Sequence, residues 1–235
     1  MKTHRKTAII VGVLFIIGTV TGFLSLFVFT EPILDDPNYL INVSAYKNQI
    51  IIGALLVLIM AFALAMVPVM MFPIFKIHNE ALALGYVVFR VLEAVTDIAI
   101  VISWLLLLPL SQEYVKAGDP DASYFQTLGA VFQAVRYWAT QMIYILNGLA
   151  GLMLCYLLYQ SKLIPRFISV LGLIGYAVLL PGASLDMLGH VDTLHGAGMI
   201  IFLPGSIFEI LLLPIWLFVK GFNSSAIASE SVKQK

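Results

Sequence analysis

Long uninterrupted apolar runs alternate with short polar breaks along this chain, and that alternation predicts an all-α bundle of membrane-spanning helices. The runs at 7–30, 48–75, 81–109, 129–159, 167–188 and 196–219 are each long enough to cross the bilayer. About 20 residues suffice for about 30 Å of hydrocarbon at about 1.5 Å per residue. Six runs predict six transmembrane helices. The break at 31–47 carries Pro32, Asp35, Asp36 and Pro37 and reads as an external loop. Residues 76–80 read as a tight turn and 111–123 as a polar loop. Residues 161–166 form a basic turn, where Pro165 suits the first turn of a helix. A short polar turn is expected at 189–195. Pro68 and Pro73 are expected to bend or end the second helix, Pro181 and Gly182 to bend the fifth, and Pro204 and Pro214 interrupt the sixth. The first run is too long for a signal-peptide core and lacks a small-residue cleavage site, so it reads as an uncleaved helix.

Composition agrees. The 235 residues are 61% hydrophobic and only 11% charged, against roughly 25% charged in a soluble domain. The surface itself is therefore apolar and its solvent is lipid. Residues 1–222 are expected to form a single six-helix domain and 223–235 a flexible cytoplasmic tail. Basic residues orient the bundle. One side receives nine of them (Lys2, Arg5, Lys6, Lys76, Lys162, Arg166, Lys220, Lys233 and Lys235), the other only Lys47 and Lys116. The positive-inside rule then places both termini in the cytoplasm. Membrane lipids are the expected partners. No basic stripe or nucleic-acid motif is present, so nucleic acid is excluded as a partner. The single cysteine, Cys155, excludes an intrachain disulfide and a cysteine metal site, and reads as a buried inert thiol.

Candidate chemistry comes from charges at membrane depth. An ionised side chain at mid-bilayer costs about 2.5–3.5 kcal/mol on insertion scales, so it persists only beside a partner or a watery cavity. Arg90, Glu93 and Asp97 are spaced i, i+3, i+7 and share one face of the third helix. Glu209 on the sixth helix, running the other way, reaches the depth of Arg90. The fourth helix carries a polar stripe of Gln133, Arg136, Thr140, Tyr144 and Asn147. Arg90, Glu93, Asp97, Arg136, Asn147 and Glu209 thus outline an intramembrane polar pocket for a small molecule, an ion or a lipid. In it Arg90 would hold an anionic group and a carboxylate would exchange protons. The competing reading is an ion-pair network that only fixes helix packing.

A second group, Asp186, His190, Asp192 and His195, gathers at the outer end of the fifth and sixth helices. Asp186 and His190 would face one metal if the helix continued through both. An intramembrane metal-dependent hydrolase would use such a set, but a third histidine is missing and no metal site is favoured over a plain interfacial turn. Glycine pairs at 148 and 151, 172 and 175, and 196 and 198 read as close helix contacts. Trp104, Trp138 and Trp216 read mainly as interface anchors, Trp138 as the one most suited to burial. No cofactor motif is present.

Several of these motifs occur together in a known family. The run Ala81 to Tyr86 followed by Arg90 and Glu93, the turn Ser161 to Arg166 followed by Gly172 and Gly175, and the ending Glu209, Trp216, Leu217, Lys220, Gly221 and Phe222 resemble the DUF4386 family of bacterial membrane proteins. Arg5, Lys6, Thr7, Ala8 and Gly12 fit as well, while Arg136 and the histidines fit the pattern less clearly. The resemblance implies a six-helix protein of the bacterial cytoplasmic membrane with no established activity, and it sets Arg90, Glu93 and Glu209 among the family's characteristic positions. Binding or transport through the polar pocket is the leading functional expectation. A hydrolase at the outer face, or a structural or regulatory subunit, are the alternatives.

Overall fold

A computed structural model describes residues 2–117, 122–193 and 196–223. Every regular element among them is helical. Helix α1 (Lys2–Phe23) continues through a π-helical segment (Leu24–Thr30) into a short turn (Glu31–Leu34). The short α2 (Tyr39–Ala45) follows, then α3 (Lys47–Ala117), α4 (Ala122–Ser161), α5 (Arg166–Met187) and a composite last helix α6 over 196–219. Five helical stretches are long and apolar enough to span a membrane.

The longest of them, α3, has 71 residues. A straight helix of that length would run for about 105 Å, more than three bilayer cores. It breaks instead at Asn79, whose backbone is extended (φ −159°, ψ 102°). The side chain of Asn79 accepts a hydrogen bond from the Leu82 N–H (3.1 Å) and so caps the second leg. Phe75 and Tyr86 lie 11 residues apart in sequence, yet their ring centroids are 6.4 Å apart, so the chain reverses between them. Ile50 and Val57 of the first leg share a core with Val101 and Leu107 of the second, so the legs pack antiparallel. With this hairpin the bundle has six long helical legs. The first leg passes through Pro68 and Pro73 without ending, and α5 passes through Pro181.

Neighbouring elements pack in sequence: α1 on α3, α3 on α4, α4 on α5, and α5 on α6, with the end of α6 returning to α1. The ring closes where Arg5 donates to the carbonyls of Phe218 (2.5 Å) and Leu217 (3.5 Å), satisfying the C-terminal end of α6 with a cation. Small residues permit the closest approaches. A Cβ on Gly175 would collide with the backbone of Gly205 on α6, and one on Gly151 with the ring of Tyr176. Large apolar side chains such as Phe23, Phe62, Val95 and Ile174 cover the outside, as lipid exposure requires.

The interior is two apolar cores rather than one. The core at the basic end holds Phe15, Met71, Phe75, Tyr86, Leu154, Phe208 and Leu217. The core at the opposite end holds Leu34, Leu40, Val57, Ile100, Trp104 and Leu108. The segment expected to be an external loop contributes to it: Ile33, Leu34, Leu40 and Val43 are buried, so 31–45 is a helical cap over the bundle. Trp104 is buried and Trp138 exposed, the reverse of the sequence expectation. On α3 the first core ends at Tyr86 and the second begins at Ile100. Arg90, Glu93 and Asp97 fill the gap, and all three are buried.

Candidate functional site

The gap between the two cores is a polar layer joining four helical legs. Arg90 is 1% exposed, and both oxygens of Glu93, one turn along, accept from its Nη1 at 3.2 Å. Its Nη2 donates to Glu209 on α6. From α4, Asn147 donates to Glu93 Oε1 (3.1 Å). From α5, the Tyr176 hydroxyl donates to the other oxygen of Glu209 (2.5 Å). The Tyr86 ring lies 6.0 Å from the guanidinium carbon. One cation and two carboxylates are thus held by side chains of α3, α4, α5 and α6, a charge-assisted network set between the two apolar cores.

Local backbone explains how Glu209 reaches the layer. The residues 207–212 form a π-helical turn, preceded by a 3₁₀ stretch over 196–202. Pro214 has no N–H to offer the preceding turn, and a π turn accommodates that loss by widening the hydrogen-bond register. Close packing of Gly175 on Gly205 brings Tyr176, the next residue, against the same stretch of α6.

The network leaves specific groups without partners. Asp97 is 4% exposed, and no hydrogen bond reaches its carboxyl among the described residues. It sits one turn beyond Glu93 on the same face. The Arg90 Nε is buried without a hydrogen-bond partner among the described residues, while the Tyr86 hydroxyl sits beside Arg90 and the Gln141 amide beside Tyr137 and Asp186. Toward the end opposite the basic one, Tyr137 donates to Asp186 Oδ1 (2.6 Å), and the backbone N–H and hydroxyl of Thr193 both donate to Asp186 Oδ2.

Of the six predicted site residues, the structure joins Arg90, Glu93, Asn147 and Glu209 by hydrogen bonds and sets Asp97 beside them. It does not bring Arg136 in. Arg136 pairs with Asp35 of the helical cap (2.7 Å), and its neighbour Gln133 donates to the Leu34 carbonyl (2.7 Å). The reason is length: α4 has 40 residues, about 60 Å, so its first third extends past the polar layer to the cap. Tyr176 and Tyr86 belong to the site and were missed, because an aromatic hydroxyl in an apolar run carries no charge to flag it.

Asp186 and His190 do not converge as the sequence allowed. α5 ends at Met187, and Gly189 takes a left-handed φ of 75°. The Gly189 N–H bonds to the Asp186 carbonyl (2.7 Å) and the His190 N–H to that of Leu185 (2.9 Å), the paired bonds of a Schellman terminus. The helix therefore stops between Asp186 and His190, and the i, i+4 relation that would have aimed both at one metal is lost. His190 is exposed, and His195 lies outside the described residues. Among the described residues, no group of three or more His, Cys, Asp or Glu is arranged to hold a metal.

The family described as a domain of unknown function, DUF4386, matches over residues 10–221, and the chain belongs to that family. No curated protein and no solved structure matches it.

Proposed function

We propose that this membrane protein binds an exchangeable cation, a proton in the simplest case, in the polar layer, and that binding or transport of a small ligand runs through that layer. Charge counting carries the reading. Arg90 supplies one positive charge to three carboxyls, the buried Glu93 and Asp97 and the partly buried Glu209. Two of them already hold its Nη groups. An ionised Asp97 about 6 Å from Glu93 would meet a repulsion of about 3 kcal/mol at an effective dielectric of about 20, with its desolvation cost in addition. Three ionised carboxylates around one guanidinium are therefore untenable unless a proton or another cation joins them. The same occupancy argues against an anionic ligand on Arg90, since both of its Nη groups already hold carboxylates. Gln141 extends the polar lining toward the Tyr137–Asp186 pair at the outer end. We further propose that the basic end faces the cytoplasm of a bacterial cell, with both termini on that side.

Infrared difference spectroscopy across a pH titration tests this reading. The expected result is a protonated-carboxyl stretch that titrates in the intact protein and is lost in Asp97→Asn, with the fold unchanged. A spectrum indifferent to Asp97→Asn would refute it and leave the layer as a packing device.

A further inference from the structure

Where the end of α4, the start of α5 and the end of α6 meet at the basic end, the chain forms an open cavity of about 540 Å³. It lies far from the polar layer and plays no part in the reading above. Its lining includes Lys162, Arg166 and Lys220 and, among the described residues, no Asp or Glu. Arg166 lies over the ring of Tyr159 (4.9 Å). None of the three cations forms a salt bridge among the described residues. Like charges that converge on one cavity without a counter-ion create a local positive potential. The backbone holds that arrangement in place. Lys162 adopts φ 55°, a left-handed conformation that favours glycine. The segment after α6 straps over it: the Asn223 N–H donates to the Leu163 carbonyl (2.9 Å) and the Asn223 amide to that of Lys162 (3.5 Å).

The other wall of the cavity is apolar, with Leu163, Trp216 and Phe222. Its neighbours Phe167 and Val219 are among the most exposed side chains of the bundle, at 70% and 66%. In a membrane protein those side chains face lipid. A cationic floor, an aromatic and aliphatic wall and a lipid-facing rim together match an amphiphile rather than a soluble anion. We propose that this cavity seats the phosphate headgroup of an anionic phospholipid from the leaflet at the basic end, with the acyl chains running outward past Phe167 and Val219.

Native mass spectrometry of the detergent-purified chain, titrated separately with phosphatidylglycerol, phosphatidylcholine and inorganic phosphate, tests the assignment. Phosphatidylglycerol is expected to be retained in preference to phosphatidylcholine. Lys162→Gln and Lys220→Gln are each expected to weaken that retention by about fivefold, the effect of one basic residue near an anionic surface. Lys116→Gln, at the opposite end and paired with Glu113, is expected to leave it unchanged. Arg166→Gln provides an independent arm, and thermal unfolding of each variant establishes that it is folded. Equal retention of the two lipids overturns the proposal, as does indifference of folded variants to loss of the lysines. Competition by inorganic phosphate at concentrations matching the lipid overturns the lipid assignment in favour of a soluble phosphate compound.

Discussion

Replacing Arg90 by leucine is the perturbation that most sharply tests the structural reasoning. The substitution leaves Glu93 with the Asn147 amide and Glu209 with the Tyr176 hydroxyl, but neither with a cation. Removing one member of a buried ion pair costs about 3–5 kcal/mol, because the surviving charge stays desolvated. For a chain of this size each kcal/mol shifts the melting temperature by about 2–4 °C, so the expected fall is roughly 6–20 °C. The chain carries its own reporter. Cys155 is its single cysteine and is fully buried against Gly172, so a thiol-reactive fluorogenic dye reports unfolding directly.

Because Arg90 has two partners, the compensating variant must address both. Arg90→Leu with Glu209→Gln is expected to recover only part of the loss, since Glu93 remains ionised. The triple variant Arg90→Leu, Glu93→Gln, Glu209→Gln is expected to recover most of it, as an apolar or neutral replacement for a buried ion network often does. Asp97→Asn is expected to cost nothing or to stabilise, since it removes a buried carboxyl that no donor among the described residues satisfies. An Arg90→Leu variant melting within about 2 °C of the parent would refute the claim that Arg90 and Glu93 form a desolvated ion pair. A triple variant as unstable as the single one would show that side-chain shape, not charge, holds the layer.

Gly175→Ala is expected to lower stability by about 1–3 kcal/mol in the same dye assay, because its methyl would meet the Gly205 backbone, which cannot rotate away. Arg136→Gln is expected to cost at most about 1 kcal/mol, since the Asp35 it pairs with is nearly half exposed; a loss as large as that of Arg90→Leu would place Arg136 back in the layer. In a Cys155→Ala background, single cysteines at Asp36 and Asp192 should react with an impermeant thiol reagent on intact cells, whereas those at Lys76 and Lys162 should not. The opposite labelling pattern would invert the proposed orientation.

Much of this architecture was legible in the sequence because the bilayer imposes a single strong rule. Run length gives span number, and a charge inside a run marks the interior. That rule found Arg90, Glu93 and Glu209 and placed them at a common depth. It failed for Arg136 because it measures depth from where the apolar run begins. α4 starts seven residues earlier than the run at 129, so depth counted from the run bore no relation to distance from the layer. It also failed at 31–45, where the prolines and acids masked the spacing of Leu40 and Val43 that buries one face of α2. Gly189 was a readable stop signal: a glycine just beyond a helix is the common C′ residue, and giving it weight would have separated Asp186 from His190 at once. Tyr176 was not readable, since only the contact of Gly175 with α6 reveals which tyrosine points inward.

The irregular backbone of α6 sharpens the functional argument. From 196 to 212 this leg passes through 3₁₀, α and π geometry within 17 residues, so its own hydrogen bonds define it less firmly than those of α4 or α5. What fixes it at mid-depth is Glu209, tied to α3 through Arg90 and to α5 through Tyr176. The carboxylate that anchors the least regular leg is thus one of the three competing for a single guanidinium. On the proposed reading, a cation entering beside Asp97 and Glu93 lowers their demand on Arg90 and strengthens its hold on Glu209, whereas a proton on Glu209 itself weakens that hold and leaves α6 held by its buried Phe208, Leu213 and Leu217, by the Gly175–Gly205 contact and by Arg5 at its end. If the layer takes up a cation as proposed, its occupancy and the position of α6 are linked through one ion pair, and the linkage is reciprocal: whatever moves α6 away from α3 would also change the affinity of the layer for that cation.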